Sequence, residues 1–540
     1  MNIDQAKEEV KNAVRAYLEK DDAGQYEIPV ERQRPILLMG PPGIGKTAVM
    51  EQIAHELGIN LVSYTITHHT RQSAIGLPMI SEKEFGGKKY SVTEYTMSEI
   101  IGAVYEQVEK SGIHEGILFL DEINCVSETL APTMLQFLQY KTFGSHKLPD
   151  GFIIVTAGNP PQYNKSVRDF DIVTLDRVRQ INIEEDFESW KAYAYKAGVH
   201  GSIMAYLEIK KDNFYSIQTN ADGRSFVTAR GWEDLSRVIK VHEKLGIAVD
   251  ENLTVQYLQN KEISRDFATY YELYRRYNEL YKIPDILEGR FPEDKKSIRE
   301  GSFDEKLSII GLLTDKLMEE FKEYAQQQEV QKELFEIIKA QTEKKAVNDS
   351  NNLWTDACNS DGKSVIETNS DWIVEKASSL EKELESQLEA GLISRDDEKV
   401  KRLVIAALRE SFAMGNKIDT DSKETELGVS AEYKKATSGS DLESIKKWFN
   451  EREALRQDRI KVTGNHLTNS FEFLEETFGD SESLSGSQEM VIFLTELSKA
   501  YYSLKFVRET GNEAFYKYNK LLLLNDRKQE LKDLAEKLIL

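Results

Sequence analysis

Short apolar runs alternate with amphipathic stretches along the first third of the chain. The apolar runs, which have the length of buried strands, occupy residues 35–39, 60–66, 116–120, 152–156 and 178–183. Helical spacing of apolar residues marks the stretches 2–20, 46–57 and 97–110. Since strands that alternate with helices usually build a parallel sheet covered by helices, the pattern predicts an α/β domain.

After residue 184 the strand signals fade and helical spacing dominates. One helical pattern begins near Thr228, and residues 185–247 are predicted to form a small helical lid subdomain against the sheet domain. Long helical patterns fill most of the remaining chain. The predicted division is an α/β domain at 1–184, the lid at 185–247, and an acidic, mainly α-helical C-terminal region at 248–540.

One helical stretch carries a stripe of aromatic residues. Its members, spaced so that they share a helix face, are Phe267, Tyr270, Tyr271, Tyr274, Tyr277 and Tyr281. Exposed aromatic rings can stack on the bases of single-stranded nucleic acid, whereas buried rings form a helix packing face. The acidic surroundings favour the packing interpretation.

The net charge of the chain indicates which kinds of partner it is expected to bind. The chain has 92 acidic and 70 basic residues, which gives a formal net charge of −22. Proteins that bind a nucleic-acid backbone neutralise its phosphates with clustered lysine and arginine. Nucleic acid is therefore an unexpected partner, although a local basic patch is compatible with this composition.

No segment of the chain suits a membrane. The N-terminus lacks the apolar core of a signal peptide, and no apolar stretch approaches the roughly 20 residues that cross a bilayer. The two cysteines, Cys125 and Cys358, are too few for a disulfide framework. We therefore expect a protein of the reducing cytoplasm that does not bind a membrane.

The apolar run 35–39 is followed by GPPGIGKT at 40–47, which fits the pattern G-x-x-x-x-G-K-[ST]. Glycines in such a loop let backbone N–H groups close around phosphate oxygens, and the following helix adds its positive end. Lys46 can reach the β- and γ-phosphates of a nucleotide, and Thr47 can hold Mg²⁺. The expected ATP-binding residues are Gly40, Pro41, Pro42, Gly43, Ile44, Gly45, Lys46, Thr47 and Ala48.

Polar residues follow two further apolar runs. The segment GILFLDEIN at 116–124 places Asp121 and Glu122 at a predicted strand end. Asp121 is a candidate Mg²⁺ ligand together with Thr47, and Glu122 can polarise an attacking water. Asn159 follows the run 152–156, where its amide can hold a water or sense a γ-phosphate. The alternative for Asn159 is that it only shapes the turn before two prolines.

The order of these segments resembles an AAA+ ATPase, most closely one of the MoxR-type branch. Further matches are IGLP at 75–78, the stretch 121–160, TLDR at 174–177 and VTARGW at 227–232. The resemblance covers roughly residues 30–245, less than half of the chain. It implies a P-loop α/β fold with the lid after the sheet domain, and a ring of identical subunits that is usually hexameric.

The resemblance implies a role for each matching position. These roles are Walker A for Lys46 and Thr47, Walker B for Asp121 and Glu122, sensor 1 for Asn159, sensor 2 for Arg230, and the arginine finger for Arg177. Such a finger enters the nucleotide site of the neighbouring subunit. Arg179 lies within the strand pattern and is expected to pair with a nearby acid or to flank the interface. Cys125 stands where many members have arginine, either as a small buried filler or as a reactive thiol.

The resemblance thus implies Mg²⁺-dependent ATP hydrolysis by a chaperone-like ring that remodels or activates protein clients. MoxR-type ATPases typically act with a protein that bears a von Willebrand factor A domain. The D-x-S-x-S signature of such a domain is absent from this sequence, so the domain would come from another chain. Two alternatives remain: a nucleotide-gated assembly scaffold with little hydrolysis, and an AAA+ motor that acts on nucleic acid.

Overall fold

The computed structural model describes residues 1–355, 371–416, 442–479 and 487–521, except 69–71, 73, 75, 145, 164–166, 168–169, 221–222 and 390. Ile75, the first residue of the IGLP segment, therefore lies outside the described residues. The chain divides into two compact units. One is Met1–Leu273 with Gln387–Leu392, and the other is Tyr274–Ser386 with Ile393–Leu540.

A five-stranded parallel sheet forms the centre of the first unit. The strands of the unit are, in chain order, β1 (Ile36–Met39), β2 (Asn60–Thr65), β3 (Pro78–Phe85), β4 (Lys88–Tyr95), β5 (Gly116–Asp121), β6 (Thr142–Phe143), β7 (His146–Lys147), β8 (Phe152–Gly158), β9 (Arg179–Asn182), β10 (Ser216–Asn220) and β11 (Gly223–Val227). The central sheet has the order β2, β5, β8, β1, β9, and every pairing in it is parallel. The predicted α/β fold is confirmed, with each of its five strands found at the predicted place.

Helices cover both faces of this sheet. The helices that begin in the first unit are α1 (Ile3–Leu18), α2 (Lys46–Leu57), α3 (Glu99–Ser111), α4 (Ala131–Tyr140), α5 (Ile172–Leu175), α6 (Phe187–Ala197), α7 (Gly201–Ile209), α8 (Ala229–Leu245), α9 (Glu251–Leu258) and α10 (Lys261–Tyr281). Successive residues of a strand point to opposite faces. In β5, Ile117 and Phe119 therefore pack with α1 and α2, while Leu118 and Leu120 pack with α3 and α4.

A second hydrophobic core follows the sheet in the chain. This second core contains eighteen buried residues between Phe187 and Tyr271, among them Trp190 and Trp232. The helix predicted to begin near Thr228 is α8, and the Thr228 side chain caps it by accepting a hydrogen bond from the N–H of Gly231 at 3.3 Å. The second core occupies a stretch that includes the predicted lid.

The aromatic stripe of α10 is a packing face over part of its length. Phe267, Tyr271 and Tyr274 are buried, with at most 4 % of each residue exposed. Phe267 also stacks edge-on against Trp232 in the second core, with ring centroids 5.3 Å apart. Rings held in this way cannot stack on nucleic-acid bases, so the packing interpretation is confirmed for these residues.

Two antiparallel hairpins were not predicted from the sequence. The strands β3 and β4 form one hairpin, and β10 and β11 form the other. The β3–β4 hairpin is exposed on both faces, with Ile80 79 % exposed, and it therefore lacks the buried apolar run that marks a strand. The lid predicted at 185–247 is not wholly helical, because it also contains β10 and β11.

The rest of the described chain is helical, as predicted. Its helices are α11 (Ile283–Leu287), α12 (Lys295–Glu300), α13 (Phe303–Thr355), α14 (Asp371–Glu389), α15 (Arg395–Asn416), α16 (Leu442–Phe478), α17 (Gln488–Lys499) and α18 (Tyr501–Thr510). A core cluster among α13 to α16 includes Leu334, Ile373, Val404 and Ile445. None of the helices in the described ranges is both long enough and apolar enough to span a membrane.

The burial of β5 predicts how the first unit responds to truncation. We expect Phe119→Ala to lower the free energy of unfolding by about 3–5 kcal/mol, because it removes apolar burial and leaves a cavity. Phe119 is 0 % exposed, whereas Ile80 is 79 % exposed, so Ile80→Ala should change stability by about 0.5 kcal/mol or less. Urea denaturation followed by circular dichroism measures both. Equal effects of the two variants would contradict this account of the core.

Candidate active site

The phosphate loop, residues 40–47, joins β1 to α2. Gly43 has φ 75° and Gly45 has φ 96°, a left-handed conformation that is readily adopted by glycine. A Cβ atom on Gly40 would lie 2.8 Å from the carbonyl oxygen of Ile183. The glycines of the motif are therefore required by the backbone path that the loop takes from strand to helix.

The backbone N–H groups of this loop are available to an anion. Within the described residues, the N–H groups of Gly43, Gly45, Lys46 and Thr47 have no protein acceptor. The N–H groups of a first helical turn lack partners within the helix, and the helix N-terminus carries partial positive charge. The loop therefore fits a phosphate group.

The Lys46 side chain bonds to the loop and to a neighbouring strand end. Its Nζ donates to the carbonyl oxygens of Gly40 at 2.9 Å and Pro41 at 2.8 Å, and to Oδ1 of Asn159 at 2.8 Å. Asn159 follows β8, which pairs with β1. Since the carboxyl ends of neighbouring parallel strands meet at one sheet edge, the side chain joins two predicted site residues directly.

The electrostatic surroundings of Lys46 make its charge sensitive to binding. Lys46 is 8 % exposed. Burial lowers its pKa to about 8, against the raising effect of Asp121, and the positive charge of Arg230 lowers it further. A phosphate beside this ammonium would favour the charged form.

Thr47 and Asp121 lie close enough to share a cation. Thr47 Oγ1 donates to Oδ2 of Asp121 at 3.2 Å, and Asp121 ends β5. A hydroxyl and a carboxylate are oxygen ligands of the kind that Mg²⁺ takes together with substrate phosphates. No cluster of three metal-binding His, Cys, Asp or Glu side chains occurs among the residues described. The donor set fits an ion that also uses nucleotide oxygens.

Glu122 is held by a residue that the sequence patterns did not reveal. The Glu122 backbone has φ 57°, and Thr67 Oγ1 donates to its Oε2 at 3.0 Å. Thr67 lies just after β2, which pairs with β5. A polar residue after the run 60–66 was the available signal, but only the strand order shows which carboxylate it would meet.

Asn159 has contacts on both its side chain and its backbone. Its Oδ1 accepts from Lys46, and its carbonyl oxygen accepts from Nδ2 of Asn124 at 2.8 Å. A Cβ atom on Gly158 would lie 2.7 Å from Oδ1 of Asn124. The tight packing of this strand end positions the Asn159 amide toward the phosphate loop, which goes beyond the alternative of a turn former alone.

The three arginines of interest differ in their surroundings. Arg177, between α5 and β9, is exposed, and its side chain has no hydrogen bond or ion pair within the described residues. Arg230, the second residue of α8, is also exposed, and its charge acts on Lys46. Arg179 instead forms an ion pair with Glu9 of α1, as one of the two sequence interpretations expected.

Cys125 lies near the acidic pair and is only partly exposed. Burial raises the pKa of its thiol, and the charges of Glu122 and Asp121 raise it further. A raised pKa reduces the thiolate fraction, which is the reactive form. The raised pKa therefore disfavours the interpretation of Cys125 as a reactive thiol.

The part of the chain that carries the site is similar to known proteins. Residues 36–175 match the family described as the ATPase family associated with various cellular activities (AAA). The chain is also 25% identical over 230 residues to the replication factor C large subunit of Methanopyrus kandleri, in a match that covers 40% of this chain and 42% of that protein. The chain thus matches about two fifths of that relative's length. Residues 36–175 are thus similar to the AAA family; the narrower MoxR-type assignment stays a prediction.

The lowered pKa of Lys46 predicts a pH dependence of nucleotide binding. Below about pH 8 Lys46 is protonated in the free protein, so its attraction for phosphate is fully present. As pH rises above that value the free protein loses this proton, and binding must restore it. Affinity should then fall roughly tenfold per pH unit until the pKa of the bound state is reached.

Titration with a fluorescent ATP analogue and Mg²⁺ across this pH range measures the effect. Lys46→Arg is the matched control, because a guanidinium stays charged throughout and its affinity should be independent of pH in this range. A wild-type affinity that is flat above pH 8 would show that the pKa of Lys46 does not govern binding.

Proposed function

We propose that this chain is an Mg²⁺-dependent ATPase that hydrolyses ATP to ADP and phosphate. The observation that carries the proposal is the convergence of Lys46, Thr47, Asp121, Glu122 and Asn159 at the carboxyl ends of β1, β5 and β8. Open α/β sheets bind ligands at this edge, where the strand order reverses. The match to the AAA family supports the same activity.

Hydrolysis is an in-line attack of water on the γ-phosphorus. Glu122 orients this water and takes its proton as the new P–O bond forms and the bond to the β-phosphate oxygen breaks. The contact with Thr67 keeps the Glu122 carboxylate at the sheet edge. ADP leaves with the electrons of the broken bond, and the γ-phosphoryl group leaves as inorganic phosphate.

The phosphate charge is balanced by residues of the loop and of β5. Lys46 leaves the carbonyl oxygens of Gly40 and Pro41 and pairs with phosphate oxygens, which are stronger acceptors. Thr47 and Asp121 would hold Mg²⁺, which would supply positive charge against the phosphates. The attraction between the Lys46 ammonium and the phosphate oxygens strengthens as negative charge develops on the leaving oxygen.

Two arginines are proposed to complete the site. Arg177 is the finger that enters the site of the neighbouring subunit in a ring, with six subunits as the expected number. Its exposure, and its lack of an ion-pair partner among the described residues, support this role. Arg230 is proposed to reach the γ-phosphate from the lid at 185–247, and its effect on the pKa of Lys46 supports that placement.

The cellular role is proposed from the MoxR-type resemblance. The ring would remodel or activate protein clients in the cytoplasm, with a separate protein that supplies a von Willebrand factor A domain. The helical region at 248–540 would carry the contacts with these partners, in keeping with the proposed boundaries 1–184 and 185–247.

Two alternatives remain as competitors. A nucleotide-gated scaffold would share every binding residue but would hydrolyse little ATP. An AAA+ motor on nucleic acid is favoured by one observation, the match to a replication factor C large subunit. The net charge of −22 and the buried part of the aromatic stripe oppose it; strongly salt-dependent DNA binding near neutral pH would support it.

Substitution of Glu122 separates the ATPase from the scaffold. Glu122→Gln should lower steady-state phosphate release by about 10²–10⁴-fold, because the amide cannot accept the proton of the attacking water. ATP binding should persist, since Lys46 and Thr47 are unchanged. Glu128→Gln, an exposed neighbour in the sequence, should keep wild-type release. If wild type and Glu122→Gln release phosphate at equal rates near zero, the scaffold interpretation replaces the enzyme.

Mixing of variants tests whether Arg177 acts on a neighbouring subunit. Arg177→Ala should bind ATP but lose about 10³-fold or more in hydrolysis. Addition of Lys46→Ala subunits should restore partial activity, because some interfaces then combine an intact site with an intact finger. Arg179→Ala is the matched control and should stay active alone, since its partner is Glu9 of its own chain. Mixed rings without restored activity would exclude action in trans.

A further inference from the structure

The phosphate loop has a contact with the second core that its nucleotide chemistry does not require. Tyr215, which lies just before β10, donates a hydrogen bond from its hydroxyl to the carbonyl oxygen of Pro42 at 3.0 Å. Beside it, the Thr228 side chain packs on Gly43, where an added Cβ would lie 3.1 Å from it. Tyr215, which packs against the second core, and Thr228, which caps α8, therefore contact the loop at two successive residues.

The ring of Tyr215 belongs to two hydrophobic clusters. It packs against the cluster formed by α1, α2 and one face of the sheet, and also against the second core. No other side chain is shared by these two clusters among the described residues. A displacement of the second core relative to the sheet must therefore disturb Tyr215 and, through its hydroxyl, the loop.

The carbonyl oxygens of the loop fall into two groups. Those of Gly40 and Pro41 accept from Lys46, and a bound phosphate would replace them as acceptors of its ammonium. The Pro42 oxygen accepts from Tyr215 instead, so Lys46 can transfer to a phosphate without breaking the Tyr215 bond. The Tyr215 contact is therefore compatible with a loop that holds nucleotide.

The hydroxyl of Tyr215 stays a donor under physiological conditions. Burial raises its pKa, and the nearby Tyr163 and Glu185 raise it further. The proton needed for the bond to Pro42 is therefore retained at neutral pH, because even an ordinary tyrosine has a pKa of about 10.

We propose that Tyr215 is a positioning residue that fastens the phosphate loop to the second core and thereby sets the rate at which nucleotide leaves. The proposal rests on nucleotide binding at the phosphate loop, as proposed above. With the bond in place, the loop keeps the geometry that cradles the phosphates. Without it, Pro41 and Pro42 are held by one fewer contact, and the loop opens more often.

The test is the dissociation rate of a fluorescent ADP analogue, measured by stopped flow with the full chain. Tyr215→Phe keeps the ring in both clusters and removes only the hydroxyl. It should release ADP about two- to tenfold faster, the range expected for one hydrogen bond. The association rate should stay unchanged, so that the loss in affinity equals the gain in dissociation rate.

Tyr193→Phe is the matched control. Tyr193 packs against the same second core, and its hydroxyl donates to Oε1 of Glu233 in α8 at 3.2 Å. Both variants should lower the unfolding temperature of the nucleotide-free protein slightly, but only Tyr215→Phe should change ADP release. This difference separates positioning of the loop from a general loss of stability.

Three results of these measurements would contradict the proposed role of Tyr215. ADP release from Tyr215→Phe that equals the wild-type rate, or is slower, overturns the positioning role while leaving the nucleotide site intact. Faster release from both variants to the same extent also overturns it, because the effect would then be one of stability. If wild type binds no nucleotide at all, the proposed function fails first, and this inference fails with it.

Discussion

The buried ammonium of Lys46 is the interaction on which the rest of the site depends. Removing a charge from water is costly unless hydrogen bonds replace its hydration, and Lys46 obtains three oxygen acceptors. Two come from the loop backbone, which must therefore fold back around the side chain through the left-handed Gly43 and Gly45. The third comes from Asn159, so β8 must lie beside β1. The loop conformation and the strand order thus both supply hydrogen-bond acceptors to the Lys46 ammonium.

The sequence predicted those parts of the molecule whose signal is local. The five central strands are short apolar runs because both faces of the sheet are covered by helices. The hairpins β3–β4 and β10–β11 escaped prediction because exposed or polar strands lack that run. The contact between Thr67 and Glu122 escaped for another reason: it depends on β2 pairing with β5, and hydrophobic periodicity does not encode strand order.

Arg177 and Arg179 show the same limit on a smaller scale. Both are arginines beside a strand, and the sequence alone gives them the same charge and similar spacing. Arg179 lies in β9, where the packing of α1 brings Glu9 to it. Arg177 precedes the strand and stays exposed. What separates the paired charge of Arg179 from the exposed charge of Arg177 is therefore the position of α1, which no motif specifies.

A phosphate loop has to satisfy opposing requirements, because it must hold its conformation around an anion and still release it. The carbonyl groups of the two prolines in this loop accept hydrogen bonds from different donors. The Pro41 carbonyl accepts from Lys46, a donor that can transfer to phosphate, so this contact would be exchanged if a nucleotide bound. The Pro42 carbonyl accepts from the Tyr215 hydroxyl, and this bond does not involve Lys46. The contact with Lys46 would thus change when a phosphate binds, whereas the contact with Tyr215 would keep the loop joined to the second core.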